Sequence, residues 1–396
     1  MTSTLSPKMV RFGLIGAGAR LRTVLHTLLK NAEEGQFKVV SVYDPALESR
    51  NALRKELGYE FEHASSETGV TDHPEVDWVF IGSWNCHHAR QAVAALDAGK
   101  NVFCEKPLAI TFEDCLAIRD AAARNKGVFA FGLVLRYAPH YSKIREILDG
   151  GVLGKIISFE FNETLDFNHG GYIFGDWRRL ASRAGSHVLE KCCHDLDLAN
   201  WLSNSLPIRV ASFGGRNFFL PENAGRIQEI GADEKGHPAY RGWITVEEHV
   251  NPFLSDASIY DNQVAILQYA NGTRATFHTN CNAGIPERRL YMLGSQGAMR
   301  ADLITGTIEI SRIGWNAKIE QIDSGARGGH GGADEFMAKA LIRTMLHGET
   351  PLASVKEGIC SAVAAFAIDQ SVTEGRVVDL MPMWQKAGID PATAMR

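Results

Sequence analysis

Val10-Arg11-Phe12-Gly13-Leu14-Ile15-Gly16-Ala17-Gly18-Ala19-Arg20-Leu21 joins a short apolar run to a glycine turn and a helical pattern. That pattern continues through Val24, Leu25, Leu28 and Leu29. Strand, glycine turn and helix together form the arrangement a dinucleotide pyrophosphate needs. Glycines let the backbone approach the phosphates, and the helix N-terminus offers N–H groups and a positive dipole end. Gly16, Ala17, Gly18, Ala19 and Arg20 are therefore candidate cofactor residues. The third position of G-x-G-x-x-G is Leu21, not Gly or Ala, so on this motif alone a glycine turn of any α/β protein stays open.

Working outward, Phe37–Tyr43 reads as a second strand ending at Asp44, 26 residues past Gly18. An acid there accepts the ribose hydroxyls of an adenosine and repels a 2′-phosphate, which favours NAD over NADP; the alternative is a turn aspartate before Pro45. Asp77–Gly82 is a third apolar strand. The loop Ser83-Trp84-Asn85-Cys86-His87-His88 follows it, then a helix over Ala89–Ala98. Asn101–Cys104 leads into Glu105-Lys106-Pro107, which puts Lys106 at the carboxyl edge of the sheet, where open α/β sheets bind ligands. A solvated lysine after a strand is the competing reading. Phe112–Lys126 reads as a helix and Val128–Leu135 as a last apolar strand, closing at Arg136. Strands alternating with helices predict a doubly wound parallel sheet.

Beyond Arg136 the pattern changes. Tyr141–Leu148 reads as a connecting helix. Lys155–Asn162, Val210–Phe213, Asp261–Tyr269, Arg274–Thr279, Arg288–Leu293 and Thr307–Ser311 alternate as half-buried strands, predicting a mostly antiparallel sheet with helices on one face. Residues 214–257 read as an irregular excursion, and Asp334–Leu346 and Val355–Ser371 as closing helices. One helix, Ser186–Leu202, carries the densest ionisable set in the chain: His187, Glu190, Lys191, His194, Asp195 and Asp197. On a helix, Glu190 and His194 share a face, and a histidine beside a carboxylate suits a general base. A metal site and a wet helix face compete with that reading, although no H-E-x-x-H is present.

The totals set bounds. With 396 residues the chain has room for two domains, and 45% hydrophobic and 22% charged residues are ordinary for a globular protein. A net charge of −5 gives no electrostatic case for nucleic acid or an anionic membrane. Seven cysteines without a CxxC pair fit reduced thiols and a cytoplasmic setting. Met1–Met9 has no apolar core of a secretory leader, and no run of ~18 apolar residues would span a membrane.

Taken together, Gly13–Arg20, Asp44, the loop ending in His88, Ala98–Pro107 (A-G-K-N-V-F-C-E-K-P), Leu135–Pro139, Gly151–Lys155 and Glu190–Asp197 (E-K-C-C-H-D-L-D) resemble the glucose–fructose oxidoreductase/inositol dehydrogenase/MocA family, Gfo/Idh/MocA. The resemblance covers nearly the whole chain. It implies an α/β protein: a Rossmann domain over 1–135, and over 136–396 a substrate and oligomerisation domain built on a large, mostly antiparallel sheet. It implies hydride transfer between NAD, or NADP, and a secondary hydroxyl of a sugar, cyclitol or related polyol. By the resemblance Lys106 is the shared catalytic lysine and His194 the acid/base. Glu190 stands where the family often has aspartate, and Trp84 where it often has proline. Ser83, Trp84, Asn85, His88, Glu105, Lys106 and Arg136 join the cofactor set. Trp177, Arg178, Lys191 and His330 join Lys106 and His194 as substrate-side residues, with no metal. Asp334, after the Gly329–Gly332 loop, is either a ligand residue or an N-cap. A homodimer or homotetramer is expected. An NAD-dependent glycosidase working through transient oxidation and a non-enzymatic cofactor-binding regulator are the alternatives.

Overall fold

The computed structural model describes residues 9–242 and 249–395. Most of the stretch read for a leader, and six residues of the 214–257 excursion, lie outside them. The chain divides into two compact units, Met1–Tyr137 with Ala333–Ile359, and Ala138–Gly332 with Cys360–Arg396.

In the first unit, β1 (Val10–Ile15), β2 (Phe37–Tyr43), β3 (Glu62–His63), β4 (Trp78–Ile81), β5 (Asn101–Cys104) and β6 (Phe129–Phe131) form one sheet in the order 3-2-1-4-5-6. Every pairing is parallel, which is the doubly wound topology of dinucleotide-binding sheets. Both faces are covered, which is why the strands read as apolar runs. Phe12, Val39, Phe80, Val102 and Phe103 are fully buried. The Phe12, Phe80 and Phe103 rings meet in series at 4.7 and 5.0 Å across three strands. The helix Ala19–Lys30 buries Leu21, Val24, Leu25 and Leu28 against this sheet.

The last strand is shorter than the apolar run suggests. After Phe131 the chain turns tightly, with Val134 N–H bonded to the Gly132 carbonyl (2.9 Å), and Val134–Tyr137 is a 3-10 turn. Burial makes the whole run apolar, so periodicity cannot tell strand from turn there. The helix Ala333–His347 packs against Ala19–Lys30 and that turn. Phe131 N–H donates to the Ala353 carbonyl at 3.0 Å, extending the edge of the sheet with C-terminal chain.

In the second unit, β7 (Ile156–Thr164), β8 (Pro207–Gly215), β9 (Asn262–Tyr269), β10 (Arg274–Asn280), β11 (Arg289–Gly294), β12 (Gly297–Asp302), β13 (Thr307–Arg312), β14 (Glu320–Asp323) and β15 (Val378–Asp379) form a nine-stranded sheet, ordered 14-13-12-11-7-10-9-8-15. All neighbours are antiparallel except β7 and β10. Phe159, Phe161, Leu267, Tyr269, Phe277 and Met292 point to the buried face, and the helix Cys193–Ser203 packs against β7. Phe213, Val264 and Ile266 line the open face. The excursion after β8 has its own small core: Phe174, Phe219, Tyr240 and Phe253 cluster, with Phe174 and Phe219 stacked at 4.3 Å. Asp261 anchors it by accepting the N–H groups of Asn217, Phe218 and Phe219 (3.1, 2.8 and 2.9 Å).

The single helix read over Ser186–Leu202 is two. His187–Glu190 is capped by Ser186, whose Oγ accepts Leu189 N–H at 3.1 Å. Cys193–Ser203 starts anew after Cys192 leaves helical geometry at ψ 4°. The ionisable residues are not a wet face: His187, Glu190, His194, Asp195 and Asp197 are all buried. Buried charges persist only when paired, so their partners identify the site.

A titration follows from one such residue. Asp369, on the helix Val355–Glu374, accepts from Gln263 Nε2 at 3.2 Å, and burial pushes its carboxyl up to about 6. A raised acid resists ionisation only in the folded state. Its cost to stability is absent below the unfolded value near 3.8, grows as pH rises toward about 6, and is full above it. Asp369→Asn is expected to flatten the fall in Tm between pH 4 and 6, and to raise Tm at pH 7.5, in a calorimetric pH series.

Candidate active site

The glycine turn needs its glycines. Gly16 sits at φ +87°, and a Cβ there would lie 2.6 Å from Ser83 N. The missing third glycine has a structural answer: Leu21 packs against Gly82, at the end of β4, where a Cβ would fall 2.7 Å from Leu21 Cβ. The close approach of helix and sheet is preserved, with the small residue on the strand side. The N-cap Gly18 supplies no side-chain bond, and no acid stands in the first turn of Ala19–Lys30. The first helical bond runs from Arg22 N–H to the Gly18 carbonyl (3.1 Å), so the earlier N–H groups have no helical acceptor. Asp44 closes the turn, accepting Ala17 N–H (2.6 Å) and Ala46 N–H (2.8 Å) on different oxygens. An uncapped helix start, a glycine cradle and a carboxylate after β2 fit a dinucleotide.

The other residues read onto this sheet edge are all in the first unit. Ser83 donates to Gln91 Oε1 at 2.6 Å, and Trp84 stacks with His87 at 6.4 Å. Asn85 is buried in a short 3-10 turn. His88 is buried with Nδ1 2.8 Å from the Pro107 carbonyl and Nε2 3.2 Å from the Ser83 carbonyl, tying the loop after β4 to the turn after β5. Burial lowers its pKa. The Lys106–Pro107 bond is cis. Glu105 is buried, and its Oε2 accepts the N–H of Lys106 at 3.2 Å. Arg20 Nε donates to Glu105 Oε1 (2.9 Å) and Arg20 Nη1 to Asp334 Oδ1 (2.6 Å). Asp334 is the second residue of its helix and meets Arg20; it is not the N-cap. Arg136 is buried, with Nη1 3.4 Å from the Leu352 carbonyl.

The second unit holds a separate polar cluster. Arg178 pairs with Asp176 (3.1 Å) and Glu190 (3.3 Å), its guanidinium over the rings of Trp177 (4.4 Å) and Tyr172 (5.0 Å). Burial raises the Asp176 pKa despite this arginine. Lys191 Nζ lies 3.3 Å from Glu163 Oε1, and Arg288 joins Glu163 (2.9 Å) to both oxygens of Asp195 (2.8 Å each). The pairs run from Lys191 to Asp195, so they fix the helix break and the residue after His194. The His194 and His330 rings stand 6.4 Å apart, and His330 holds a left-handed φ of 52° in its glycine turn. His187 turns elsewhere: it meets Thr279 Oγ1 at 3.0 Å among the sulfurs of Cys192 and Cys281, and burial pushes it down to about 4. It is a neutral core residue. Glu163 and Arg288 carry no sequence signal; they lie on or beside strands far from residue 194.

Two models of one family match the chain. "Oxidoreductase family, NAD-binding Rossmann fold" matches residues 10–133, and the "GFO/IDH/MocA C-terminal domain" matches residues 141–300. The chain belongs to the Gfo/Idh/MocA oxidoreductase family. Its first unit is the NAD-binding Rossmann fold of that family. The Bacillus subtilis protein YteT is 23% identical over 357 residues, covering 79% of this chain and 83% of that one. Levoglucosan dehydrogenase of Pseudarthrobacter phenanthrenivorans is 29% identical over 252 residues, 62% of this chain and 59% of its own. A 2,7-anhydro-N-acetylneuraminate hydratase of Mediterraneibacter gnavus is 22% identical over 305 residues, 76% and 70% of the two chains. A levoglucosan dehydrogenase structure with NADH and levoglucosan superposes with a TM-score of 0.75 at 19% identity, covering 94% of this chain and 100% of that one. It shares the fold. Among the described residues no helix is long and apolar enough to cross a membrane.

Proposed function

We propose that the protein is an NAD-dependent dehydrogenase of a secondary hydroxyl on a sugar, cyclitol or related polyol. The observation that carries this is the buried, ion-paired Glu190 four residues before a buried His194, in a chain whose Rossmann unit presents Lys106 at a strand's carboxyl end. Relatives include a levoglucosan dehydrogenase, which supports a sugar alcohol as substrate.

Gly16–Ala19 and the N–H groups of the first helical turn would hold the pyrophosphate, and Asp44 the adenosine ribose. When bound, NAD accepts the hydride. His194 takes the hydroxyl proton, Lys106 offsets the charge developing on the oxygen, and Glu190, paired with Arg178, orients His194 or holds a further hydroxyl. Trp177, Lys191 and His330 contact the rest of the sugar. The open sheet face with Phe213, Val264 and Ile266 supports a homodimer or homotetramer.

Asp44→Ser removes the charge that would face a 2′-phosphate. The NAD-over-NADP preference in Kd is expected to fall about 10- to 100-fold, or about 1.4–2.8 kcal/mol, checked by titrating each cofactor against the protein's fluorescence.

A second reading has one observation in its favour, the hydratase relative. In it the hydroxyl is oxidised transiently, a bond is broken by elimination, and the ring is reduced again. Mixing the protein with NAD and a panel of sugars, cyclitols, anhydrosugars and aryl glycosides separates the two. Accumulating NADH supports the dehydrogenase. Released aglycone or opened anhydro ring without net NADH supports the second reading.

A further inference from the structure

We propose that Arg20 is a positioning residue for Lys106, acting through Glu105, and that its guanidinium does not serve the cofactor phosphates. The proposal rests on the dehydrogenase reading for what Lys106 does. Its geometry stands apart from that reading.

Arg20 follows directly on the glycine turn, where a cation would be expected to meet phosphate. Its side chain instead turns to two carboxylates: Nε to Glu105 Oε1 at 2.9 Å, and Nη1 to Asp334 Oδ1 at 2.6 Å. Glu105 is 5% exposed, so without Arg20 it would be a buried, uncompensated charge. With Arg20 in place its second oxygen folds back to accept the N–H of Lys106 at 3.2 Å, and it lies close over Gly132, where a Cβ would meet Oε2 at 3.0 Å. Gly132 leaves the space that this oxygen occupies, and a side chain there would crowd it. The next residue is gripped from the other side, His88 meeting the Pro107 carbonyl at 2.8 Å. The backbone carrying Lys106 is therefore held by a carboxylate before it and an imidazole after it, and Arg20 fixes the carboxylate. Asp334, at the start of the helix Ala333–His347, fixes Arg20 in turn.

The test uses the full chain as Arg20→Ala, Arg20→Lys and Glu105→Gln. Three readings are taken on each: the NAD Kd by fluorescence titration, the labelling rate of Lys106 by acetic anhydride relative to Lys38 and Lys55 (peptide mass spectrometry), and kcat on a substrate from the panel. The proposal expects Arg20→Ala to leave the NAD Kd within about threefold, to change the relative labelling of Lys106 at least threefold, and to lower kcat 10- to 100-fold. Arg20→Lys, which keeps the cation, recovers most of both. Glu105→Gln, which removes the charge needing compensation, shows the Lys106 effect even where Arg20→Ala fails to fold. Unchanged labelling in the folded variants overturns the proposal, as does a loss of NAD affinity that accounts for the whole fall in kcat. Labelling that shifts as expected while Lys106→Met keeps full turnover supports the positioning and removes the dehydrogenase reading alone.

Discussion

Lys106→Met is expected to lower kcat about a thousandfold while NAD still binds. The variant keeps the length and apolar stem of the side chain, so packing around the turn after β5 changes little. It loses only the ammonium. Removing one preorganised group that stabilises charge in a transition state costs about 10²–10³ in kcat, roughly 3–4 kcal/mol. Lys106 belongs at the upper end because its backbone is held on both sides, by Glu105 at its own N–H and by His88 at the Pro107 carbonyl. A group so fixed needs little reorganisation as charge develops, and losing it is correspondingly expensive. The check is paired: NADH formation by absorbance for kcat, and cofactor titration by fluorescence for Kd. A fall in kcat with an unchanged Kd places Lys106 in the chemical step.

His194→Ala is expected to cost about 10²–10⁴ in kcat, the range for removing a general base. Added imidazole should restore part of the activity in a concentration-dependent way, whereas a purely structural loss would not respond. The residue sits in the first turn of Cys193–Ser203, and Asp195 next to it is locked by two bonds to Arg288. The backbone at position 194 therefore has a firm seat without the imidazole. Truncating this buried ring is expected to lower thermal stability somewhat, and a circular-dichroism melt run alongside the kinetics separates that loss from the chemistry.

The first unit was legible because physics leaves a plain trace there. A parallel sheet covered on both faces produces runs such as Val39–Val42 and Val79–Ile81, and helices ended by Gly58 or opened by Thr111 mark the spaces between. The glycine turn and the E-K-P turn lie at strand ends, where position follows from the run before them. Leu21 looked like a defect only because its partner, Gly82, is more than sixty residues away. The second unit hid more. Strands such as Glu320–Asp323 are short and mostly exposed, so they lack alternation. The break at Lys191–Cys192 is invisible to helical periodicity because the charged side chains there are buried by pairing, not solvated. The partners, Glu163 and Arg288, come from other strands and join only in the fold. The return of Ala333–Ile359 to the first unit likewise rests on long-range packing and leaves no local signal.

The most direct measurement of the central claim is a single turnover of the protein–NAD complex with a panel substrate deuterated at the carbinol carbon. NADH isolated at the end would carry deuterium at C4 of the nicotinamide in wild type, and the same labelled NADH would form about a thousandfold more slowly with Lys106→Met. A product formed with the deuterium still on its own carbon and no labelled NADH would contradict hydride transfer as the net reaction.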